Sequence, residues 1–139
     1  MTQITLRGGC LCGAVRYEIT GETTRFYHCH CRRCRKATGT GHASNVIVIP
    51  KSARWTTGEE QLGQYKVPEA KRFATCFCRN CGSPLPRIAP DLSRAVIPAG
   101  SLDTDPGIQP MARIFWGSRA EWSCGGDDIP VYSEYVPEA

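Results

Sequence analysis

The chain has 139 residues, 41% of them hydrophobic and 22% charged, enough for one domain with a real core and too few for two independent ones. Those proportions belong to an ordinary globular protein and exclude extensive disorder, and no apolar stretch approaches the ~20 residues that a membrane-crossing helix needs. Lys and Arg outnumber Asp and Glu by 17 to 13, a mildly basic balance that counts nine cysteines as neutral.

In chain order, the N-terminus shows no apolar run behind a basic start, which predicts a cytoplasmic protein rather than a secreted one. Alternating or β-branched runs at 4–6, 14–19, 42–49, 71–78, 94–97 and 111–116, each bounded by Gly, Pro, Asn or Asp, predict a mainly β fold. Val15, Tyr17 and Ile19 share one strand face, and Val46, Val48 and Trp55 join them as core candidates. One short helical turn is predicted at 33–38; with 14 Gly and 10 Pro, no long amphipathic helix can be drawn. Residues 1–139 show no internal repeat, low-complexity tract or linker, so they read as a single domain.

Cysteine is the outlier. Eight of the nine fall in three clusters, and Cys124 stands alone beside Gly125 and Gly126 as an unligated thiol. The first cluster, Gly9-Cys10-Leu11-Cys12-Gly13, presents two sulfurs to one side if the chain is extended. The second, Cys29-His30-Cys31-Arg32-Arg33-Cys34, gathers three sulfurs within six residues. The third, Cys76-Phe77-Cys78-Arg79-Asn80-Cys81-Gly82, contains a C-x-x-C turn closed by glycine, a common spacing for a tetrahedral zinc ion with sulfurs at about 2.3 Å. Reducing compartments keep thiols open, so the clustering reads as metal chemistry rather than disulfides, and the spacing matches neither common iron-sulfur pattern. Eight clustered cysteines admit two closed four-sulfur sites, or one closed site and one open site; spacing alone leaves that choice open. If seven become zinc-bound thiolates around two Zn²⁺ ions, the net charge falls from +4 to about +1, which removes the global argument for nucleic-acid binding.

The motifs Gly8-Gly9-Cys10-x-Cys12-Gly13-x-Val15-x-Tyr17, Cys29-His30-Cys31-x-x-Cys34-Arg35-Lys36-x-Thr38-Gly39, Arg72-Phe73, Cys78-x-x-Cys81-Gly82-Ser83, Ala99-Gly100-Ser101-Leu102-Asp103, Ser118-Arg119-Ala120-Glu121-Trp122 and Asp127-Asp128-Ile129-Pro130 occur in order between Gly8 and Tyr135. Together they resemble the glutathione-dependent formaldehyde-activating enzyme and centromere protein V family. The resemblance implies a β-tent, two small antiparallel sheets meeting near zinc-binding knuckles. It implies a structural zinc on Cys10, Cys12, Cys78 and Cys81, and a second zinc on Cys29, Cys31 and Cys34 with its fourth position open. It also implies a carbon-sulfur lyase type of activity, glutathione and formaldehyde combining to S-(hydroxymethyl)glutathione, with Cys29, Cys31 and Cys34 as the reacting centre. Cys76 departs from the family pattern, and strand alternation puts it on the face of Cys78, so it is a candidate fourth ligand that would close the second site.

Around that centre, Arg32, Arg33, Arg35 and Lys36 are candidates to hold glutathione carboxylates, since guanidinium groups pair with carboxylates in bidentate fashion. They also read as compensation of the thiolate charge, from which any zinc-thiolate knuckle profits, or as a solvated surface. His28 and His30 are candidate hydrogen-bond donors or proton carriers on the face away from Cys29 and Cys31, and His42 reads as a structural strand residue. Two rival functions remain: a noncatalytic zinc module that contacts nucleic acid or protein through the Arg-rich knuckle, and reduction of oxidised methionine. Aromatic residues are not interleaved with the cations as base-stacking platforms would be, and no cysteine pairs with an activating base as a lone nucleophile. The partners expected are thus a small-molecule thiol and an aldehyde, with no membrane.

Overall fold

In the computed structural model, which describes residues 2–123 and 129–137, the mainly β reading is realised as nine strands in two sheets. Six strands form the larger sheet: β1 (Ile4–Gly9), β2 (Arg16–Cys29), β3 (Ala43–Thr57), β7 (Arg87–Ile88), β8 (Ala95–Pro98) and β9 (Ala112–Ile114). The smaller sheet holds β4 (Leu62–Lys66), β5 (Ala74–Cys78) and β6 (Pro84–Leu85). A helix, α1 (Arg32–Thr38), joins β2 to β3. Among the described residues, no helix is long and apolar enough to cross a membrane.

The axis of the molecule is the antiparallel β2–β3 ladder, which runs from Arg16↔Thr57 to Cys29↔Ala43. The sequence runs at 14–19 and 42–49 capture only part of each strand, for a physical reason. Register shifts at Thr20/Gly21 and Thr23/Arg25 reset the side-chain alternation, so the apolar period that Tyr17 and Ile19 establish is lost and resumes at Phe26. Pro50, which reads as a strand stop, sits opposite Gly21 at such a shift, where a ladder tolerates proline. Gly21 is required there, because a Cβ would collide with the Ile49 carbonyl.

Both β1 and β9 use the same edge of β2. β1 pairs antiparallel with 16–21, and β9 pairs in parallel with Tyr27–Cys29. That one parallel pairing departs from the expectation of purely antiparallel sheets. It occurs because the chain returns to the β2 edge from the far side of the domain, which no short-range pattern encodes. β4 was absent from the predicted strands; Leu-Gly-Gln-Tyr-Lys has little apolar alternation, and it is held by its ladder to β5 from Leu62↔Cys78 to Lys66↔Ala74.

The core lies between the sheets. Leu6, Tyr17, Ile19, Val46, Val48, Ala95 and Ile97 from the larger sheet, with Val15 just before β2, meet Cys76, Cys78 and Leu85 from the smaller one, and Trp55 packs at the margin. Tyr17 carries its hydroxyl into this core and bonds Ser101 Oγ at 2.6 Å. Ser101 donates its own proton to the Pro98 carbonyl, so the phenol is the donor. Burial pushes the Tyr17 phenol up to about 12.

Candidate metal centres and the adjoining cavity

Two groups of cysteine sulfurs form at opposite ends of β2. At its start, Cys10 and Cys12 lie on the turn between β1 and β2, where the Gly13 N–H donates to the Cys10 carbonyl and Gly13 takes a φ of +80°. The sulfurs therefore converge through a turn, not through the extended chain expected from the C-x-C spacing. Facing them, Cys78 ends β5 and the chain reverses at once. The Gly82 N–H donates to the Cys78 carbonyl at 2.7 Å, the Cys78 N–H donates to the Ser83 carbonyl at 3.0 Å, and Gly82 closes the turn at φ +79°.

The Cys10, Cys12, Cys78 and Cys81 sulfurs all lie within 4.8 Å of one another. Cys10 and Cys12 are 3.6 Å apart and Cys12 and Cys78 are 3.9 Å apart, far from the ~2.05 Å of a disulfide. Four sulfurs at about 2.3 Å from a central zinc ion would be about 3.8 Å apart at the corners of a tetrahedron. The observed spacing fits that ion. Polar hydrogens already point at the sulfurs: the Val15 N–H at Cys10, the Asn80 N–H at Cys78 and Asn80 Nδ2 at Cys12, at 3.2–3.3 Å. Ser83 Oγ accepts from the Leu11 N–H and sits 3.2 Å from Cys81 Sγ, tying one knuckle to the other. The Ser83 hydroxyl and backbone pull the Cys81 thiol down to about 5, so the thiolate that binds metal is favoured.

At the far end of β2, Cys29 is the last strand residue and Cys31 is the N-cap of α1, its sulfur accepting from the Cys34 N–H at 3.3 Å. Cys34 then falls in the first helical turn, and the three sulfurs lie within 4.8 Å of one another. The helix stops at Gly39, whose φ of +74° lets its N–H reach the Arg35 carbonyl. β9 clasps the knuckle from outside, the Ile114 carbonyl accepting from the His30 N–H at 2.9 Å. Cys29 and Cys34 are buried against Ala43, Phe73 and Ile114. Burial, and then the adjacent Cys29 and Cys31 sulfurs, push the Cys34 thiol far up, whereas for Cys31 the hydrogen bonds from the Cys34 and Arg33 backbone outweigh burial and lower it. Three thiolates this close repel one another, and a divalent cation among them relieves that repulsion.

Cys76 belongs to neither group. It is buried on the same face of β5 as Cys78, but it stands two positions before the knuckle, in the core and on a cavity wall. Cys124 lies outside the described residues. The three histidines of the chain pack together. His28 stacks on His42 with ring centres 4.0 Å apart, and His30 lies 5.1 Å from His42 and meets Trp116 edge to face. His42 precedes β3 rather than lying in it, and Ser44 Oγ approaches its Nδ1 at 3.4 Å. His30 is fully buried, and neither ring nitrogen has a hydrogen-bond partner of good geometry among the described residues, although the Gly41 backbone is close enough to favour a proton there. Burial outweighs that and keeps the ring neutral. It fills space beside the knuckle.

A cavity of about 1010 Å³ opens between α1, β3 and the smaller sheet, with Cys34 on its wall. Arg32, Arg33 and Lys36 of α1 line it, whereas Arg35 does not; its position on the helix turns it away, and its Nε is buried without a partner among the described residues. Across from α1, Arg87 and Phe73 line the cavity too. Neither is a site residue by sequence alone, because Arg87 lies outside every cysteine motif and β7 is only two residues long.

The sequence model of a family described as glutathione-dependent formaldehyde-activating enzyme matches residues 5–118. A Halomonas elongata protein, provisionally named as a glutathione-dependent formaldehyde-activating enzyme, is 29% identical over 127 residues, 84% of this chain and 78% of that protein. The crystal structure of a Rhodobacter sphaeroides protein matches with a TM-score of 0.54 at 22% identity, covering 77% of this chain and 98% of its own. That likeness concerns the fold alone. The matched stretch contains both sulfur groups and the cavity, and ends before the Asp127-Asp128-Ile129-Pro130 motif.

Proposed function

This chain belongs to the glutathione-dependent formaldehyde-activating enzyme family, and on that premise we propose that it is a zinc-dependent enzyme that combines glutathione with formaldehyde to give S-(hydroxymethyl)glutathione, a carbon-sulfur lyase when read in reverse. The observation that carries this reading is the contrast in ligand number beside the cavity. Four sulfurs converge at one end of β2 and three at the other, and only the group of three has a member on the cavity wall.

In this reading Cys10, Cys12, Cys78 and Cys81 hold a structural zinc ion, and Cys29, Cys31 and Cys34 hold a second zinc with one position open. When bound there, zinc supplies a Lewis acid and favours the thiolate form of a substrate thiol. The chain's own residues do the rest. The cavity takes up the tripeptide thiol, and Arg32, Arg33 and Lys36 attract its carboxylates. They also offset the negative charge of three thiolates around one divalent ion. Bond formation joins the thiol sulfur to the aldehyde carbon while the aldehyde oxygen gains the proton that the thiol gives up, so no oxidant or reductant is needed. Holding the thiol in one orientation is the protein's main contribution. Cysteines that must stay reduced suit a reducing compartment such as the cytoplasm.

Exchange NMR of ¹³C-formaldehyde with glutathione tests the reading. The intact zinc-loaded protein should raise the interconversion rate above the spontaneous one, and Cys31→Ser should return it to that level. An intact protein that leaves the spontaneous rate unchanged would overturn it.

A further inference from the structure

Arg87 is a cation without a carboxylate partner among the described residues. It stands on β7 in register with Val96 of β8. Its Nη1 donates to the Ala74 carbonyl at 2.6 Å, and its guanidinium carbon lies 5.6 Å from the centre of the Phe73 ring. The carbonyl fixes one edge of the guanidinium and the ring braces it, so the group is oriented before any ligand arrives. A guanidinium has five N–H donors, and only this one hydrogen bond engages them among the described residues. No carboxylate of the described residues lies within ion-pair distance of it. Burial and the nearby Arg94 work against its charge, and the Cys34 and Cys76 sulfurs support it; Arg87, Cys34 and Cys76 line the same cavity.

The cavity shares that imbalance. Its charged wall residues are Arg32, Arg33, Lys36 and Arg87 against the single acid Glu69, and none of the four cations has an ion-pair partner among the described residues. The three on α1 are long side chains on an exposed helix face and can be satisfied by water. Arg87 is different, since it is partly buried and held in place. A half-buried, oriented guanidinium with spare donors on a cavity wall is costly unless an anion completes it.

We propose that Arg87, braced by Phe73 and the Ala74 carbonyl, binds a carboxylate of the thiol substrate and makes this cavity selective for thiols that carry one. The assignment rests on the glutathione reading above and names the residue that enforces it. The α1 cations draw the anion in; Arg87 sets its position relative to Cys34.

The test compares glutathione with N-acetylcysteamine, a thiol without a carboxylate, as partner for formaldehyde in the zinc-loaded protein. Arg87→Met should lower the ratio of kcat/KM for glutathione to that for N-acetylcysteamine about tenfold, the size expected for losing a charge-assisted bidentate contact. The loss should appear mainly in KM. Arg87→Lys, which keeps the charge but not the fork, should recover only part of the ratio. An unchanged ratio, with both thiols losing alike or neither losing, overturns the assignment. If Arg87→Met does not fold, judged by circular dichroism and zinc content, Arg87→Lys decides alone, and an unchanged ratio there overturns the assignment. Calorimetric titration with glutathione separates this inference from the reading beneath it. Binding that depends on Arg87 without any acceleration of adduct formation overturns the enzyme and leaves Arg87 as the carboxylate contact. Acceleration indifferent to Arg87 overturns the contact alone, and a protein that neither binds nor accelerates overturns both.

Discussion

The two sulfur groups are made from similar short motifs and differ in what they join. Cys10 and Cys12 meet Cys78 and Cys81 across 66 residues of sequence, as the Cys12 to Cys78 contact shows, so this group closes the N-terminal turn onto the smaller sheet. Cys29, Cys31 and Cys34 come from one continuous knuckle, whose sulfurs converge because β2 ends, Cys31 caps α1 and Cys34 sits one turn on. The first group draws on long-range topology and its ligands bridge separate parts of the core. The second is local, so emptying it is expected to cost little of the fold. Ligand number follows the same division: in the proposed reading four protein ligands saturate the staple, whereas three sulfurs beside a cavity would leave room for a substrate.

The most severe way to break this comparison is to remove a ligand from each group in turn. Cys78→Ser should abolish folding, because apparent binding free energies of structural zinc sites, about 10–16 kcal/mol at neutral pH, exceed the whole stability of a typical domain. Circular dichroism should show loss of the β signal, and a strong chelator should do the same to the intact protein. Cys31→Ser should instead keep the fold, lower bound zinc from two ions to one, and reduce adduct formation by at least about 100-fold, as expected when a metal-dependent site is lost. If both variants unfold, the distinction between a staple and a site fails.

The three cysteine clusters could be read from the sequence because metal-ligand spacing is a local property, whereas the pairing of Cys10 and Cys12 with Cys78 and Cys81 came only from the family resemblance; the mainly β class and the core of Val15, Tyr17, Ile19, Val46 and Val48 were legible too. What escaped was whatever depends on pairing across the chain. The β2–β3 ladder is longer than its apolar runs because bulges at Gly21 and Thr23 reset the alternation. β4 is held by β5, not by its own residues, and β9 joins β2 in parallel. The same limit applies to the cavity. The four cations beside the cysteines were visible as a run, but a run on a helix points in several directions, and Arg35 turns away from the cavity that Arg32, Arg33 and Lys36 line. Arg87 was invisible because it stands outside the motif that ends at Ser83; only the fold brings it to the cavity that Cys34 lines.

A sharper question is whether the second group is closed by Cys76, as strand alternation allowed. Its sulfur lies in the core and outside both groups. Cys76→Ala should therefore leave two zinc ions per chain and the rate of adduct formation intact, and lower stability by only about 1–2 kcal/mol for the loss of a small buried side chain. A fall to one zinc ion would mean that Cys76 is a ligand. Burial raises the Cys76 thiol, so alkylation with iodoacetamide in the folded protein should spare it even at mildly alkaline pH, where thiols with an ordinary pKa react.

The smallest expected effect tests the rigidity of the staple's own end of β2. Tyr17 stands one residue beyond Arg16, the partner of Gly9 just before Cys10, and its hydroxyl links the ladder to Ser101. Tyr17→Phe removes that hydrogen bond and leaves Ser101 its bond to the Pro98 carbonyl, so stability should drop by about 1 kcal/mol, with zinc content and activity unchanged. The phenol titrates near 12 in the folded protein, against an ordinary value of 10. A group whose folded pKa is raised binds its proton more tightly in the native state. Its contribution is therefore complete below pH 10, and is lost as pH rises from 10 through 12. The intact protein should show a tyrosine ionising near pH 12 in an ultraviolet titration that Tyr17→Phe lacks, and its stability should fall over that range more steeply than that of Tyr17→Phe. Coincident slopes would mean that water reaches the phenol and that this end of β2 opens more readily than a stapled segment should.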